Sequence, residues 1–148
     1  MGVVYDKAKY HFEGEYPANL SRQQAFVHTG FFVGWLADHN LLSSDIITNF
    51  SEELRQFKER RITGPRLYEI LGGVLDEGML NQEGNRFAQF YFDFDKGRFV
   101  SDYLDLLASE LPTFYHVSDT WSNYEQLAEK INERFHDWQI SQSSARPV

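Results

Sequence analysis

Hydrophobic residues dominate one long stretch of the chain, residues 21–40, and leave it without a polar face. At about 100° per residue, small residues fall on one side of this segment and large aromatic residues on the other. Gly30 and Gly34 lie one turn apart on the small side, where another backbone can approach closely. The pattern predicts a buried central helix that begins after an N-cap at Ser21 and ends near Asn40.

Apolar residues recur at helical spacing in three later segments as well. The spacing predicts a helix from Ser43 or Ser44 to about Arg60, and a short helix that begins at Thr63 and ends at Gly72. Residues 122–138 begin with a capping box and continue with apolar residues at spacings of three and four. We expect this last helix to pack against the core along its apolar stripe.

Residues 85–110 fit two patterns. Phe90, Phe92 and Phe94 alternate as they would in a strand, which suits a short β hairpin near residues 90–100. The neighbouring aromatic residues also follow helical spacing, as do the apolar residues from Phe99 onwards. We therefore predict two helices with Gly97 in the break between them, and keep the hairpin as the alternative.

Together these segments predict a mainly α fold. The chain has the length of one domain, so we expect residues 1–138 to form a single compact domain of about five to six helices around the central helix. Before that helix, an extended arm or short irregular helix should lie on the core through Tyr5, Tyr10 and Phe12. Residues 139–148 are polar, contain proline and lack periodicity, which predicts a disordered tail.

Composition excludes several classes of function. Cysteine is absent, so disulfides, thiolate metal sites and thiol catalysis are excluded. We expect a cytoplasmic protein, because the N-terminus does not resemble a signal peptide and no segment is long and apolar enough to cross a membrane. The net charge is −8, and residues 75–148 carry 6 Lys and Arg against 13 Asp and Glu. This acidity disfavours nucleic acid and anionic membranes as partners; it either serves solubility alone or speeds encounter with a basic protein.

Three histidines, His11, His28 and His39, fall in the first forty residues together with Asp6 and Asp38. They are the candidates for a metal site or an acid–base pair. His28 and His39 lie three helical turns apart, however, and cannot meet at one ion. We therefore predict neither a metal nor another cofactor.

His28 and Thr29 form a polar pair inside an otherwise apolar helix. Buried polar groups need hydrogen-bond partners, and the N-terminal arm carries suitable side chains. If the arm packs over His28, a small polar pocket results. The residues of this candidate pocket are Tyr5, Asp6, Lys7, His11 and His28.

A second candidate site is acidic. The spacing from Asp93 does not match a calcium loop, because Gly97 comes one residue early and Leu104 stands where a bidentate glutamate belongs. Either this region is a solvated helix face or it is a docking surface for a basic partner. The residues of the predicted surface are Asp93, Asp95, Asp102 and Asp105. The sequence contains no nucleophile elbow, and we assign no catalytic residue.

Three motifs carry a resemblance to a known family: YDKAKYH at residues 5–11, HTGFFVGWL at 28–36 and DTWSNY at 119–124. Over about residues 3–138 the chain resembles a family of small single-domain bacterial proteins of unknown function, similar in size and acidity to immunity proteins. The resemblance implies a non-enzymatic protein that binds and neutralises a basic toxin. Two alternatives remain: a small-ligand or metal-binding protein or enzyme that uses the pocket near His28, and a homodimeric structural protein.

Overall fold

The computed structural model describes residues 3–145, and its secondary structure is mainly helical. The α-helices of this range are α1 (Ala8–Phe12), α2 (Val27–Asp38), α3 (Ser44–Asn49), α4 (Ser51–Lys58), α5 (Gly64–Ile70), α6 (Gln82–Tyr91), α7 (Phe99–Tyr103) and α8 (Trp121–Ala145). Short 3-10 helices occupy Arg22–Phe26, Glu77–Met79 and Phe114–His116, and a π-helical turn, Leu104–Ala108, continues α7. Strands β1 (Val4–Lys7) and β2 (Val74–Asp76) form a small antiparallel sheet. The predicted mainly α, single-domain fold is confirmed.

Helix α2 is the centre of the fold, and every residue from Val27 to Ala37 is buried. It approaches α5 so closely that a Cβ atom on Gly30 would lie 2.7 Å from the backbone nitrogen of Pro65. The predicted close approach of another backbone is therefore present at Gly30. At Gly34 the neighbours are instead aromatic side chains. The α-helix begins at Val27 rather than Ser21, because residues 22–26 form a 3-10 turn.

The other side of α2 packs against aromatic residues from the second half of the chain. Phe32 stacks on Phe92 with 4.5 Å between ring centroids, and Trp35 lies 5.3 Å from the ring of Phe87. The Trp35 indole N–H donates to Asn132 Oδ1 of α8 at 2.8 Å. Aromatic packing on this side of α2 thus joins the two halves of the chain into one core.

The segments around α2 differ from the predictions in two places and agree with them in a third. The helix expected to run to Arg60 is broken at Phe50 into α3 and α4, and α4 begins with acidic residues in its first turn, which suit a helix start. Residues 90–100 contain no strand in the described chain; the two helices predicted there are present, with Gly97 in the break. The sheet lies elsewhere, where the N-terminal arm pairs with residues 74–76.

The N-terminal arm lies on the core through Phe12, whose ring centroid is 6.4 Å from that of Phe26. The expected contact through Tyr10 is wrong, because this side chain is exposed. The predicted disorder from Gln139 is also wrong for residues 139–145, since α8 continues through Ala145. The only proline of that segment is Pro147, which comes too late to stop the helix. Residues 146–148 of the predicted tail lie outside the described residues.

Within residues 3–145, each helix is either too short or too polar to cross a membrane.

Candidate functional site: a buried carboxylate–histidine cluster

Strand β1, helix α1 and helix α2 bring Asp6, His11 and His28 together, and we call these three residues the Asp–His–His cluster. Alternation along β1 turns Asp6 inward, where it is 3% exposed. The backbone N–H of Ala8 donates to the carbonyl of Gly73 at 2.9 Å and holds the arm in place as α1 begins. His28 reaches the cluster from the first turn of α2 and is 1% exposed.

The carboxylate of Asp6 is the centre of the hydrogen bonds in this cluster. The hydroxyl of Thr29 donates to Asp6 Oδ2 at 2.6 Å. His11 Nε2 lies 2.8 Å from Asp6 Oδ1 and 3.0 Å from Oδ2. His28 Nε2 lies 3.4 Å from Asp6 Oδ2 and 3.2 Å from His11 Nε2. Both imidazoles therefore present Nε2 to one carboxylate oxygen.

Burial and hydrogen bonding set the charge of this cluster. Burial would by itself raise the pKa of Asp6, but hydrogen bonds from His11 and His28 and their electrostatic interaction hold that pKa well below its usual value. Burial also lowers the pKa of His28, and the hydrogen bond and charge of Asp6 oppose this only in part. At neutral pH an ionised carboxylate therefore faces an uncharged imidazole, and both groups carry lone pairs.

Aromatic rings surround the two histidines. The centroid of Phe94 lies 6.1 Å from those of both imidazoles, and Phe114 lies 4.6 Å from His28. The hydroxyl of Tyr115 is 2.8 Å from His11 Nδ1, the nitrogen that points away from Asp6. With 13% of its side chain exposed, His11 is the most accessible member of the cluster. The cluster is thus polar at its centre, and the aromatic residues around it, Phe94, Phe114 and Tyr115, form what we call the aromatic wall.

Three atoms of the cluster have the separation of metal ligands. Asp6 Oδ2, His11 Nε2 and His28 Nε2 form a triangle with edges of 3.0, 3.2 and 3.4 Å. Ligands at about 2.0–2.1 Å from a tetrahedral Zn²⁺ lie about 3.3 Å from one another. The residues present therefore match the size and donor type of one face of a zinc site.

Two of the five residues of the predicted pocket lie outside the cluster. The hydroxyl of Tyr5 donates to Asn85 Oδ1 at 2.6 Å, and the ammonium of Lys7 lies 5.8 Å from the ring centroid of Tyr10. Strand alternation explains this, because the neighbours of Asp6 in β1 project to the opposite face. The structure thus brings Asp6, His11 and His28 together and leaves Tyr5 and Lys7 apart from them.

The other predicted ligands are engaged elsewhere. His39 stacks on Trp35 with 4.3 Å between centroids, and its Nδ1 lies 2.9 Å from the Trp35 carbonyl oxygen. Asp38 Oδ2 accepts from the hydroxyl of Tyr124 at 2.6 Å and forms an ion pair with Arg60. His28 instead contacts His11, one of the arm residues of the predicted pocket.

The four residues of the predicted acidic surface do not form one surface. Asp102 is 5% exposed, accepts from the hydroxyl of Tyr91 at 2.8 Å and binds Arg134 through both carboxylate oxygens. Its assignment to a docking surface is wrong, because it belongs to a buried ion pair. Asp93 accepts from the backbone N–H groups of the next turn, while Asp95 and Asp105 are exposed.

Tyr115, Phe94 and Phe114 were not among the predicted site residues. They come from segments about a hundred positions away from the arm, and no motif connects them to it. Thr29 had one local signal, its place as a polar residue in an apolar helix. For the aromatic wall the sequence contained no such signal.

A separate apolar pocket of about 460 Å³ lies between α4 and the end of α2. Its wall includes Leu42, Ile47 and Leu54, and its rim includes Arg55 and Lys58. The side chain of Arg55 is engaged by Glu52 and Glu59. The pocket lacks the convergence of ligand atoms found in the Asp–His–His cluster, so its volume does not make it the better candidate.

Fold and cluster define a small helical protein whose N-terminal arm closes a buried carboxylate–histidine cluster over a central helix. The chain belongs to the family described as "Domain of unknown function (DUF7832)", whose model matches residues 4–117. The matched range includes Asp6, His11, His28 and Tyr115 and ends before α8. The chain matches no curated protein and no solved structure at a significant level.

Proposed function

We propose that this protein binds one divalent transition-metal ion, with Zn²⁺ the best fit, through Asp6, His11 and His28. The observation that carries the proposal is the triangle of ligand atoms, with edges of 3.0, 3.2 and 3.4 Å. These separations match one face of a tetrahedral site without rearrangement of the backbone. Because the three ligands come from β1, α1 and α2, the ion would also tie the arm to the central helix.

Hydrogen bonds alone account poorly for the position of His28. A proton on His11 Nε2 can bind the carboxylate of Asp6 at 2.8 Å. The neighbours of His28 Nε2 are then that same nitrogen at 3.2 Å and a carboxylate oxygen at 3.4 Å, which makes its hydrogen bonds longer than that of His11. A cation at the centre would attract the lone pairs of all three atoms at once.

The donor set decides between classes of metal. Two imidazole nitrogens and one carboxylate suit Zn²⁺ and its neighbours in the first transition row, whereas Mg²⁺ and Ca²⁺ prefer oxygen ligands. The hydroxyl of Thr29 orients Asp6, and the aromatic wall limits the access of water. Three protein ligands leave a position for water or a small external ligand.

Metal binding is tested by titrating metal-stripped protein with Zn²⁺ against a chromophoric chelator. We expect one ion per chain for the wild type. His28→Gln should weaken binding at least about 100-fold, since removing a ligand costs more than removing a group that only orients one. His39→Gln is the matched control, because this histidine lies on the same helical segment but outside the cluster. Mg²⁺ and Ca²⁺ should not compete.

Two results would refute the proposal. One is a folded wild type that takes up no Zn²⁺ in the titration. The other is a His28→Gln variant that binds Zn²⁺ as well as His39→Gln does. In either case the cluster would be a hydrogen-bonded element that fastens the N-terminal arm.

The alternatives from the sequence receive less support from the geometry. Of the four acidic residues proposed to dock a basic toxin, Asp102 is buried and Asp93 caps a turn. The aromatic residues that suggested a homodimer are largely within the core of the chain. We therefore propose neither toxin neutralisation nor dimerisation as the function.

A further inference from the structure

We infer that Tyr115 is a positioning residue of the metal site, and that its hydroxyl orients the imidazole of His11 so that Nε2 faces the ion. The inference rests on the proposed function. Its basis is the 2.8 Å separation between the Tyr115 hydroxyl and His11 Nδ1. Histidine ligands commonly hold the nitrogen that does not bind metal in a hydrogen bond, which sets the orientation of the ring.

Tyr115 is itself held in position by its surroundings. Its backbone carbonyl accepts from Gln24 Nε2 at 2.9 Å, and its backbone N–H donates to the hydroxyl of Thr113 at 3.1 Å. Its ring centroid lies 4.9 Å from that of Tyr16. Backbone and ring are thus fixed from different directions, so the hydroxyl is placed before any metal arrives.

The hydroxyl can serve both states of His11, because it is a donor and an acceptor. Without metal, His11 Nε2–H donates to Asp6, and Nδ1 accepts from the Tyr115 O–H. With metal, Nε2 gives its lone pair to the ion, and Nδ1–H donates to the Tyr115 oxygen. The imidazole exchanges one proton position for the other through solvent, so His11 neither gains nor loses a proton overall. Phenylalanine at position 115 could serve neither state.

Tyr16 provides a matched control. It lies against Tyr115, but its hydroxyl donates to the backbone carbonyl of Ser21 at 2.6 Å and has no bond to the cluster. Tyr16→Phe therefore removes the same atom from the same aromatic group without touching His11. A general loss of packing would affect both variants alike.

The experiment compares Tyr115→Phe and Tyr16→Phe with the wild type in Zn²⁺ competition titrations. We expect Tyr115→Phe to bind Zn²⁺ about 10- to 100-fold more weakly, and Tyr16→Phe to match the wild type. Thermal unfolding of the metal-free variants checks that both are folded. In parallel, ¹⁵N-detected NMR of the imidazole nitrogens should show the His11 proton on Nε2 without Zn²⁺ and on Nδ1 with it.

The outcomes separate this inference from the proposed function. If Tyr115→Phe binds Zn²⁺ as tightly as the wild type, or Tyr16→Phe loses as much affinity, the positioning role is overturned while the metal site stands. A wild type that binds no Zn²⁺ overturns both. Should Tyr115→Phe fail to fold, the wild-type NMR decides, and a His11 Nδ1–H that exchanges with solvent in the Zn²⁺-loaded protein as fast as an exposed imidazole proton overturns the inference.

Discussion

Replacing Gly30 by alanine should destabilise the protein, although alanine is the better helix former. A Cβ atom at position 30 would lie 2.7 Å from the backbone nitrogen of Pro65 and closer still to its Cα. On α5, a Cβ atom at Gly64 would likewise collide with the backbone carbonyl oxygen of Gly30. The groups that face Gly30 are the backbone atoms of Gly64 and Pro65 at the start of α5, where Thr63 caps the helix. They cannot move aside as a side chain could.

The magnitude follows from two opposing contributions. Alanine in a helix interior gains about 1 kcal/mol over glycine. Inserting a methyl group into a close-packed contact costs about 1–3 kcal/mol, and more where backbone must shift. Because both helices would have to separate at Gly30, we expect the upper end of that range, for a net loss of about 2 kcal/mol. For a domain of this size that lowers the Tm by roughly 4–8 °C.

Gly34→Ala is the matched control, since it adds the same methyl group one turn further along α2. Its new Cβ would meet ring atoms of Phe57 at 3.0 Å and Tyr124 at 3.3 Å, which can shift slightly. We expect a change within about 1 kcal/mol, because the gain in helix propensity offsets the crowding. Urea unfolding followed by circular dichroism and tryptophan fluorescence measures both variants. A Gly30→Ala protein as stable as the wild type would refute the reasoning.

Two further variants test the second half of the chain. Arg134→Met leaves the buried carboxylate of Asp102 without its cation and should cost about 3 kcal/mol in urea unfolding; Lys130→Met, which removes an exposed pair, should cost less than about 1 kcal/mol. Equal losses would contradict the buried ion pair. Truncation after Trp138 should lower the helical signal in circular dichroism yet change stability by less than about 1 kcal/mol, because residues 139–143 are exposed. A large loss would show that this turn packs on the core.

Local patterns were sufficient to predict the centre of the fold. The apolar character of α2 on all sides required burial, and its two small residues marked where a backbone could approach, as Gly30 does at Pro65. The helical spacing around Gly97 likewise outweighed the alternation that suggested a hairpin. In each case the decisive information lay within about one helix length of sequence.

Features that depend on distant segments could not be predicted in this way. The pairing of β1 with β2 joins residues about seventy positions apart, and neither strand is long enough to show a pattern. The course of α8 beyond Gln139 also escaped prediction, since a polar segment can be disordered or can continue a helix that is anchored elsewhere. Asp102 was predicted to lie on an exposed acidic surface, but its ion pair with the distant Arg134 allows it to be buried.

The candidate site was predictable in part: one of its features follows from local sequence, and another depends on distant segments. His28 and Thr29 require polar partners within an apolar helix, and that requirement points to the arm, where Asp6 accepts from the Thr29 hydroxyl. The proposed metal site could not be inferred from the same reasoning, because it depends on the angles at which β1, α1 and α2 meet. Those angles bring three potential ligand atoms within 3.4 Å of one another, while strand alternation places Tyr5 and Lys7 on the opposite face. Burial requirements can therefore indicate which residues meet, and only the packed structure gives the distances that a metal site requires.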